Sequence, residues 1–244
     1  MNGLSCTQCA LDRHASVNRD QPMQLQLLPI DQYAGVNRDD PIRFYHWPIL
    51  GSMYRRRVEL CLEQCRGGER ILEIGFGSGV TFLNLQSRYR QIYGLDLTAS
   101  AREVTDVFVT RGLHPQLLTG SVLDMPFTSH FFDTVLLISI LEHLYPEQQD
   151  RAFREIARVL KPGGQVVYGV PIEHPFMTLM FRLLGYDIRQ YHFSTEGDVA
   201  RAANRICHPV QRIQMQSTPS IFGAVYEVGH FITPDSSTAI LQNR

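Results

Sequence analysis

The sequence predicts an α/β fold with one doubly wound, mainly parallel sheet and helices on both faces. Short apolar runs alternate with helical patterns over most of the chain, which is typical of a parallel sheet. One apolar run ends near an acidic residue, Glu73, and opens into a glycine-rich loop, reading Ile71-Leu72-Glu73-Ile74-Gly75-Phe76-Gly77-Ser78-Gly79. The next apolar run along the chain ends at a second acidic residue, Asp96.

Strands are predicted where short apolar runs lie between turn residues. The run at 132–138 is the most apolar of them, which is expected for a strand buried on both faces. The sequence Lys161-Pro162-Gly163-Gly164 predicts a turn before the strand at 165–170. A long loop is expected at 120–130. The predicted strands are 70–74, 91–95, 116–118, 132–138, 165–170, 211–215 and 224–231.

Helices are predicted before the first strand and between later strands. A helical pattern at 44–64 ends at the Gly67-Gly68 pair, because glycine commonly terminates helices. Ser100 and Glu103 have the spacing of a capping box, so a helix begins there and ends near Gly112. The other helices are expected at 80–87 and at 146–160, the latter with Pro146 in its first turn.

Composition and charge limit the classes of function. The 244 residues are 44% hydrophobic and 19% charged, which suits a globular protein. The net charge of −1 offers no broad attraction for phosphates, so no nucleic-acid partner is expected. No run of about 18 apolar residues occurs, and residues 1–13 lack the pattern of a secretory signal. We therefore expect a cytoplasmic protein without a transmembrane segment, and the sequence does not determine its oligomeric state.

The first 40 residues differ from the remainder. They are polar, and we expect a partly disordered extension or, alternatively, an arm that covers the active site; residues 41–244 would form the main domain. Five cysteines do not suggest a disulfide framework. Cys6 and Cys9 could supply half of a zinc site, but no clear second pair exists unless Cys61 and Cys65 fold against them. We expect no metal.

The glycine loop and Asp96 predict a site for an adenosine-containing ligand. Glycine lets the backbone approach the ligand closely, and the downstream acid accepts from ribose hydroxyls. A dinucleotide site would place a third glycine where this chain has Val80. The pattern Glu73-x-Gly75-x-Gly77-x-Gly79 instead resembles motif I of the class I S-adenosylmethionine methyltransferases.

Three further segments strengthen this resemblance. They match the family's fourth strand, the segment after it and the turn before the fifth strand, within residues 44–170. Together they resemble the small-molecule (type 11) branch, which includes the quinone-biosynthesis enzymes. The resemblance implies a seven-stranded Rossmann-like methyltransferase fold with helical cap elements, S-adenosylmethionine as cofactor, and methyl transfer as activity. The segments are Phe132-Asp133-Thr134-Val135-Leu136-Leu137, Leu141-Glu142-His143-Leu144 and Arg158-Val159-Leu160-Lys161-Pro162-Gly163-Gly164.

The same resemblance implies roles for individual residues. The loop would hold the methionine end of the cofactor, Asp96 the ribose, and Leu97 the adenine. The family shows Gly-Asp-Ala where this chain has Gly120-Ser121-Val122, so Ser121 or Asp124 would contact the adenine amino group. The full cofactor set is Glu73, Gly75, Phe76, Gly77, Gly79, Asp96, Leu97, Ser121, Val122, Asp124 and Ser139.

The sequence identifies residues for the methyl acceptor less specifically than it identifies residues for the cofactor. A general base is needed only if the acceptor must lose a proton. The apolar helix expected at 175–184 lies within a predicted cap, residues 171–208, and favours a small apolar or lipid-like acceptor while leaving peripheral membrane contact open. The triplet at 55–57 is expected to be a solvated helix face, with an anion contact as the alternative. Catalytic candidates are His143, Glu173 and His174; acceptor-binding candidates are Tyr45, His46, Phe181 and His192.

Two other functions stay open from the sequence alone. A related branch of the family methylates modified tRNA bases, although such enzymes need phosphate contacts that the net charge does not favour. The altered adenine segment also leaves room for a regulatory protein that binds S-adenosylmethionine without turnover.

Overall fold

The sheet of this protein has seven strands in the order β3-β2-β1-β4-β5-β7-β6. The computed structural model describes residues 23–35, 40–48, 50–172, 192–216 and 223–235. All neighbouring strands pair in parallel except β7, which is antiparallel to β5 and to β6. The predicted α/β class with a mainly parallel sheet is confirmed. The strands are β1 (Gly68–Ile74), β2 (Tyr89–Asp96), β3 (Gln116–Thr119), β4 (Phe132–Ile138), β5 (Leu160–Pro171), β6 (His208–Gln216) and β7 (Ala224–Ile232).

Helices connect these strands, and their ends follow local chemistry. The Ser100 hydroxyl accepts from the backbone N–H of Glu103, which starts α4 as its N-cap. Pro146 occupies the first turn of α5, where its missing N–H costs nothing. The described helices are α1 (Ile42–Tyr45), α2 (Leu50–Gln64), α3 (Phe82–Leu85), α4 (Ala101–Val109), α5 (Pro146–Val159) and α6 (Glu196–Ile206), with 3₁₀ turns at Ile30–Gln32 and Leu141–His143.

Two hydrophobic layers hold the helices on the sheet. Ile71 and Leu72 are consecutive in β1 and point to opposite faces, as alternation along a strand requires. The Ile71 layer contains side chains of α2, α3 and α4. The Leu72 layer contains side chains of α5 and α6. The sheet is therefore covered on both faces.

Several boundaries differ from the sequence prediction. The helix expected at 44–64 is two helices, because Pro48 interrupts the pattern between α1 and α2. The helix expected at 80–87 is only the single turn α3. Strand β5 begins at Leu160 instead of residue 165: Leu160 pairs with Phe132 before a bulge, and regular pairing resumes at Gln165. The glycine-rich turn is thus part of an irregular strand.

Residues 23–35 pack against the fold. The N–H groups of Met23 and Leu25 donate to the carboxylates of Glu63 and Glu59 on α2, at 3.3 and 3.0 Å. Leu25 and Leu28 are buried in the core layer that contains α2. Cys6 and Cys9 lie outside the described residues, whereas Cys61, Cys65 and Cys207 are buried free thiols.

The end of the predicted cap segment 171–208 belongs to the layered fold. Within it, α6 buries Val199, Ala202 and Ala203 in the same core layer as α5. The Thr195 hydroxyl and the Asp198 carboxylate form a capping box that starts this helix. Among the helices that the structure describes, none has an apolar stretch long enough to cross a membrane.

Candidate active site

The site lies at the carboxyl ends of β1, β2 and β4, where the order of the strands reverses between β1 and β4. In open α/β sheets, ligands bind at this switch point. The loop after β1 uses positive φ angles of 74° at Gly75 and 49° at Gly77. A Cβ atom on Gly75 would lie 2.0 Å from Cδ1 of Ile140, and one on Gly77 would lie 2.6 Å from Oδ2 of Asp40. Only glycine fits at these two positions.

Asp96 fixes the glycine loop to the end of β2. Its Oδ2 accepts from the Gly77 N–H at 2.9 Å, and its Oδ1 accepts from the N–H groups of Thr98 and Ala99 at 2.8 and 2.9 Å. The Thr98 hydroxyl also donates to Oδ1, at 3.4 Å. Oδ2 accepts only the Gly77 bond among the described residues. Each carboxylate oxygen has two acceptor positions, so Oδ2 can still accept from a ribose hydroxyl. Next to it, the Leu97 side chain is 70% exposed, which suits a surface on which an adenine ring packs.

Glu73 is the buried acid of the site. It is 3% exposed, and the Thr81 hydroxyl donates to its Oε2. Burial raises the pKa of Glu73 to about 8, the Thr81 hydrogen bond opposes this, and the negative charge of Asp96 adds to it. Much of Glu73 is therefore protonated at pH 7, and a cationic group placed beside it would favour the charged form.

Asp40 also contacts this loop. The Ser78 hydroxyl donates to Oδ1 of Asp40 at 3.4 Å, and the Ile42 N–H donates to the same oxygen at 2.8 Å. Burial raises the pKa of the Asp40 carboxyl, with Asp96 contributing to the increase. An acid outside the predicted cofactor set thus contacts the loop.

The segment expected to contact adenine forms a tight turn after β3. The Ser121 hydroxyl accepts from the Leu123 N–H at 3.2 Å, and the Ser121 carbonyl accepts from the Asp124 N–H at 3.2 Å. Val122 is buried, whereas the Asp124 side chain is exposed. Ser121 therefore presents a hydroxyl that the turn already orients.

We expect Ser121→Asp to bind S-adenosylhomocysteine at least as tightly as the parent chain, because it restores the acid that the family uses for adenine. Ser121→Ala should lose about 1 kcal/mol or less, the net value of one neutral hydrogen bond. Calorimetric titration of both variants and of Asp124→Ala measures this. A tenfold loss for Asp124→Ala with no effect of Ser121→Ala would assign the contact to Asp124.

A second polar cluster lies beyond β4. Ser139 has a φ of 57°, uncommon for a non-glycine residue, and its hydroxyl is 3.0 Å from the Tyr226 hydroxyl. The Ser139 hydroxyl also hydrogen-bonds the carboxylate of Glu142, which is 2% exposed. Burial raises the pKa of Glu142 to about 7, and the charges of His143 and Arg57 oppose that increase. Oε2 of Glu142 has no hydrogen-bond partner among the described residues.

Arg57 of α2 faces this cluster. Its guanidinium carbon lies 3.9 Å from the centre of the Tyr54 ring, 5.7 Å from that of Tyr226 and 6.0 Å from that of Tyr45. The guanidinium hydrogen-bonds the Tyr45 hydroxyl, but its Nε is buried without a partner in the described part of the chain. An arginine cation therefore lies among three aromatic rings with a donor still available.

The other acceptor-side candidates are placed differently. Tyr45 is buried beside Tyr54, with 5.7 Å between ring centres, whereas His46 is exposed. The rings of His143 and His192 lie 5.4 Å apart. Burial lowers the pKa of His192 to about 4, and the nearby His143 adds to this, so the His192 ring is neutral at pH 7. The remaining candidates, Glu173, His174 and Phe181, lie outside the described residues.

Sequence reasoning did not predict that Arg57, Tyr226 and the carboxylate of Glu142 lie close together in this region. Arg57 was expected on a solvated face with its two neighbours. Arg56 does pair on the surface with Glu63 at 2.7 Å, but Arg57 points inward. The only available signal was the spacing of Tyr54 and Arg57, which places both on one helical face.

The fold and this site define a class I S-adenosylmethionine-dependent methyltransferase domain. The loop that admits only glycine and the residual acceptor capacity of Asp96 fit the cofactor, S-adenosylmethionine, which is the methyl donor. Residues 72–168 match the family model described as "Methyltransferase domain". This agrees with the type 11 branch that the sequence resembles.

Comparisons with known proteins point to the same class. The chain is 27% identical over 175 residues to a probable tRNA methyltransferase 9B of Bos taurus, covering 71% of this chain and 33% of the relative. It is 35% identical over 107 residues to a fatty-acid O-methyltransferase of Mycolicibacterium smegmatis, covering 41% of this chain and 36% of the relative. The chain thus spans about a third of the length of either relative.

Solved structures share the fold. The N-methyltransferase NodS from Bradyrhizobium japonicum, in complex with S-adenosyl-L-homocysteine, matches with a TM-score of 0.60 at 20% identity. The match covers 84% of this chain and 97% of NodS. At this identity the likeness concerns the fold.

Proposed function

We propose that this chain transfers a methyl group from S-adenosylmethionine to a small, largely apolar acceptor whose polar end carries oxygen, such as a carboxylate or hydroxyl. The observation that carries the proposal is Arg57, a cation among three tyrosine rings with an available donor. Aromatic walls suit an apolar body, and a guanidinium suits an oxygen-bearing end. The relative named as a fatty-acid O-methyltransferase supports an acceptor of this kind.

The residues described above can perform the transfer mainly by positioning. The methyl group of the donor is already activated by its sulfonium, so alignment and exclusion of water supply most of the acceleration. Arg57 would orient the polar end of the acceptor. Where that end must lose a proton, Glu142 or His143 would receive it, because both lie in the turn directly after β4.

Residues 171–193 are proposed as a cap over the acceptor. The support comes from the described end of this segment. The N–H groups of Phe193 and Ser194 donate to the Glu142 carbonyl at 2.8 and 3.2 Å, which fixes the end of the segment beside the polar cluster that follows β4. His192 is part of this end. Glu173, His174 and Phe181 would then belong to the same cap.

Arg57→Met is expected to lower kcat/KM for the acceptor at least tenfold while leaving S-adenosylhomocysteine affinity unchanged. Methionine keeps most of the aliphatic volume but removes the cation and its donors. The assay measures S-adenosylhomocysteine formed from S-adenosylmethionine with a medium-chain fatty acid, the alcohol of equal length and total cellular tRNA, which carries modified bases. Arg56→Met is the matched control, because Arg56 makes surface ion pairs.

The other outcomes separate the rival functions. Turnover with tRNA and none with either small acceptor would favour the tRNA branch, consistent with the Bos taurus relative's name. Tight binding of S-adenosylhomocysteine with no turnover on a wider acceptor panel would favour a regulatory protein. Equal loss in Arg56→Met and Arg57→Met would contradict the role of Arg57.

A further inference from the structure

Three side chains able to bind a metal ion converge at the polar cluster that follows β4. One ligand atom each from Glu142, His143 and His192 lies within 4.8 Å of the other two. Sequence analysis predicted no metal, and its only zinc hypothesis concerned the cysteines. The three residues come from two segments that are far apart in the chain, so no short sequence motif identifies them as a set.

Backbone hydrogen bonds hold these two segments together. Glu142 and His143 are consecutive in the 3₁₀ turn after β4, so their backbone positions relative to each other are fixed by that turn. The Glu142 carbonyl accepts from two N–H groups of the segment that follows His192. The Ser194 hydroxyl also donates to the Leu144 carbonyl at 2.6 Å. The proximity of the histidines therefore has a structural basis beyond their own ring contact.

The carboxylate of Glu142 needs a partner. It is 2% exposed, and its Oε2 makes no hydrogen bond within the described ranges. A buried carboxylate oxygen without a partner is costly, and coordination to a cation removes that cost. Two imidazoles and one carboxylate are a ligand set that binds zinc and related divalent ions with an open position.

We propose that Glu142, His143 and His192 bind a divalent transition-metal ion, best matched by zinc, with a coordination position open toward the acceptor. Ligand atoms around zinc lie about 3.3 Å apart when each is about 2.0–2.1 Å from the ion. The side chains would close to that spacing by rotation when the ion enters. This inference does not depend on the proposed acceptor. With the ion bound, Glu142 and His143 would be ligands and would not act as bases. An acceptor hydroxyl in the open position would then lose its proton to solvent more easily before attacking the methyl group.

The test measures zinc on the full chain without any acceptor. Protein treated with a chelator and desalted is titrated with zinc sulfate against a chromogenic chelator. We expect one zinc per chain, and we expect Glu142→Gln and His192→Gln each to weaken binding at least 100-fold. His114→Gln, which changes an exposed histidine away from the cluster, should bind like the parent. Magnesium chloride should compete poorly, because imidazole ligands favour transition metals.

Folding of each variant is checked by its melting temperature, which should be no lower than that of the parent, and by its S-adenosylhomocysteine affinity, which should match the parent. Absence of zinc binding by the parent chain would overturn the proposal. Zinc retained equally by the parent, Glu142→Gln and His192→Gln would also overturn it, since the ion would then be bound elsewhere, for example at Cys6 and Cys9.

Discussion

Replacing Asp96 with alanine is expected to weaken binding of S-adenosylhomocysteine about 100-fold, or about 2.7 kcal/mol. The carboxylate holds the Gly77 N–H and two N–H groups at the end of β2, so its loss loosens the glycine loop. It also removes the acceptor that the ribose hydroxyls would use, and hydrogen bonds to a charged group are each worth about 1.5–3 kcal/mol. Isothermal calorimetry measures the effect directly.

The controls for Asp96 separate ligand contact from loop support. Asp96→Asn keeps one acceptor oxygen and should lose less affinity than the alanine variant. Asp106→Ala on α4 removes an exposed aspartate and should leave affinity unchanged. An Asp96→Ala protein that binds S-adenosylhomocysteine like the parent would exclude Asp96 from the site.

Replacing Glu73 with glutamine is expected to stabilise the ligand-free protein at pH 8 by about 2–4 kcal/mol relative to the parent. The pKa of Glu73 is raised by burial from 4.5 to about 8 in the folded chain. The protonated acid is thus favoured in the native state. Glutamine keeps the shape and can still accept from Thr81, but it cannot ionise.

The direction of the pH effect follows from that raised pKa. The stability that protonated Glu73 contributes is complete below about pH 4.5 and is lost as the pH rises through about 8. Parent and Glu73→Gln should therefore have similar stability at pH 5 and should diverge toward pH 8. The other groups facing Glu73 are Asp96 and the thiols of Cys61 and Cys65. Burial raises the pKa of both thiols, so the thiols stay neutral over this pH range.

Chemical denaturation at pH 5, 6, 7 and 8 provides the measurement for Glu73. Glu147→Gln, which changes an exposed glutamate of α5, is the matched control and should show a constant difference from the parent across that range. A difference between parent and Glu73→Gln that does not grow with pH would show that Glu73 is already ionised in the folded protein.

The sequence by itself determined the parts of the molecule that depend on local chemistry. Alternation of apolar runs and helical patterns identified the strands, because each pattern reflects which faces of a short segment are buried. Strand β4 was predicted with its observed bounds, Phe132–Ile138. The glycine loop and Asp96 were also identified from the sequence, because a turn with positive φ angles requires glycine at particular positions. These features suffice for the class of fold and for the cofactor.

Tertiary structure alone decided the acceptor side. Three adjacent arginines look alike in sequence, yet only packing of α2 against β7 turns Arg57 toward Tyr226. The pairing of Leu160 with Phe132 moved the start of β5, because strand pairing overrode the turn signal of the residues between. His192 meets Glu142 and His143 only through backbone bonds between distant segments. Local sequence patterns reflect contacts between residues a few positions apart. The contacts of Arg57, Leu160 and His192 form only when separate elements of the fold meet, so no short stretch of sequence determines them.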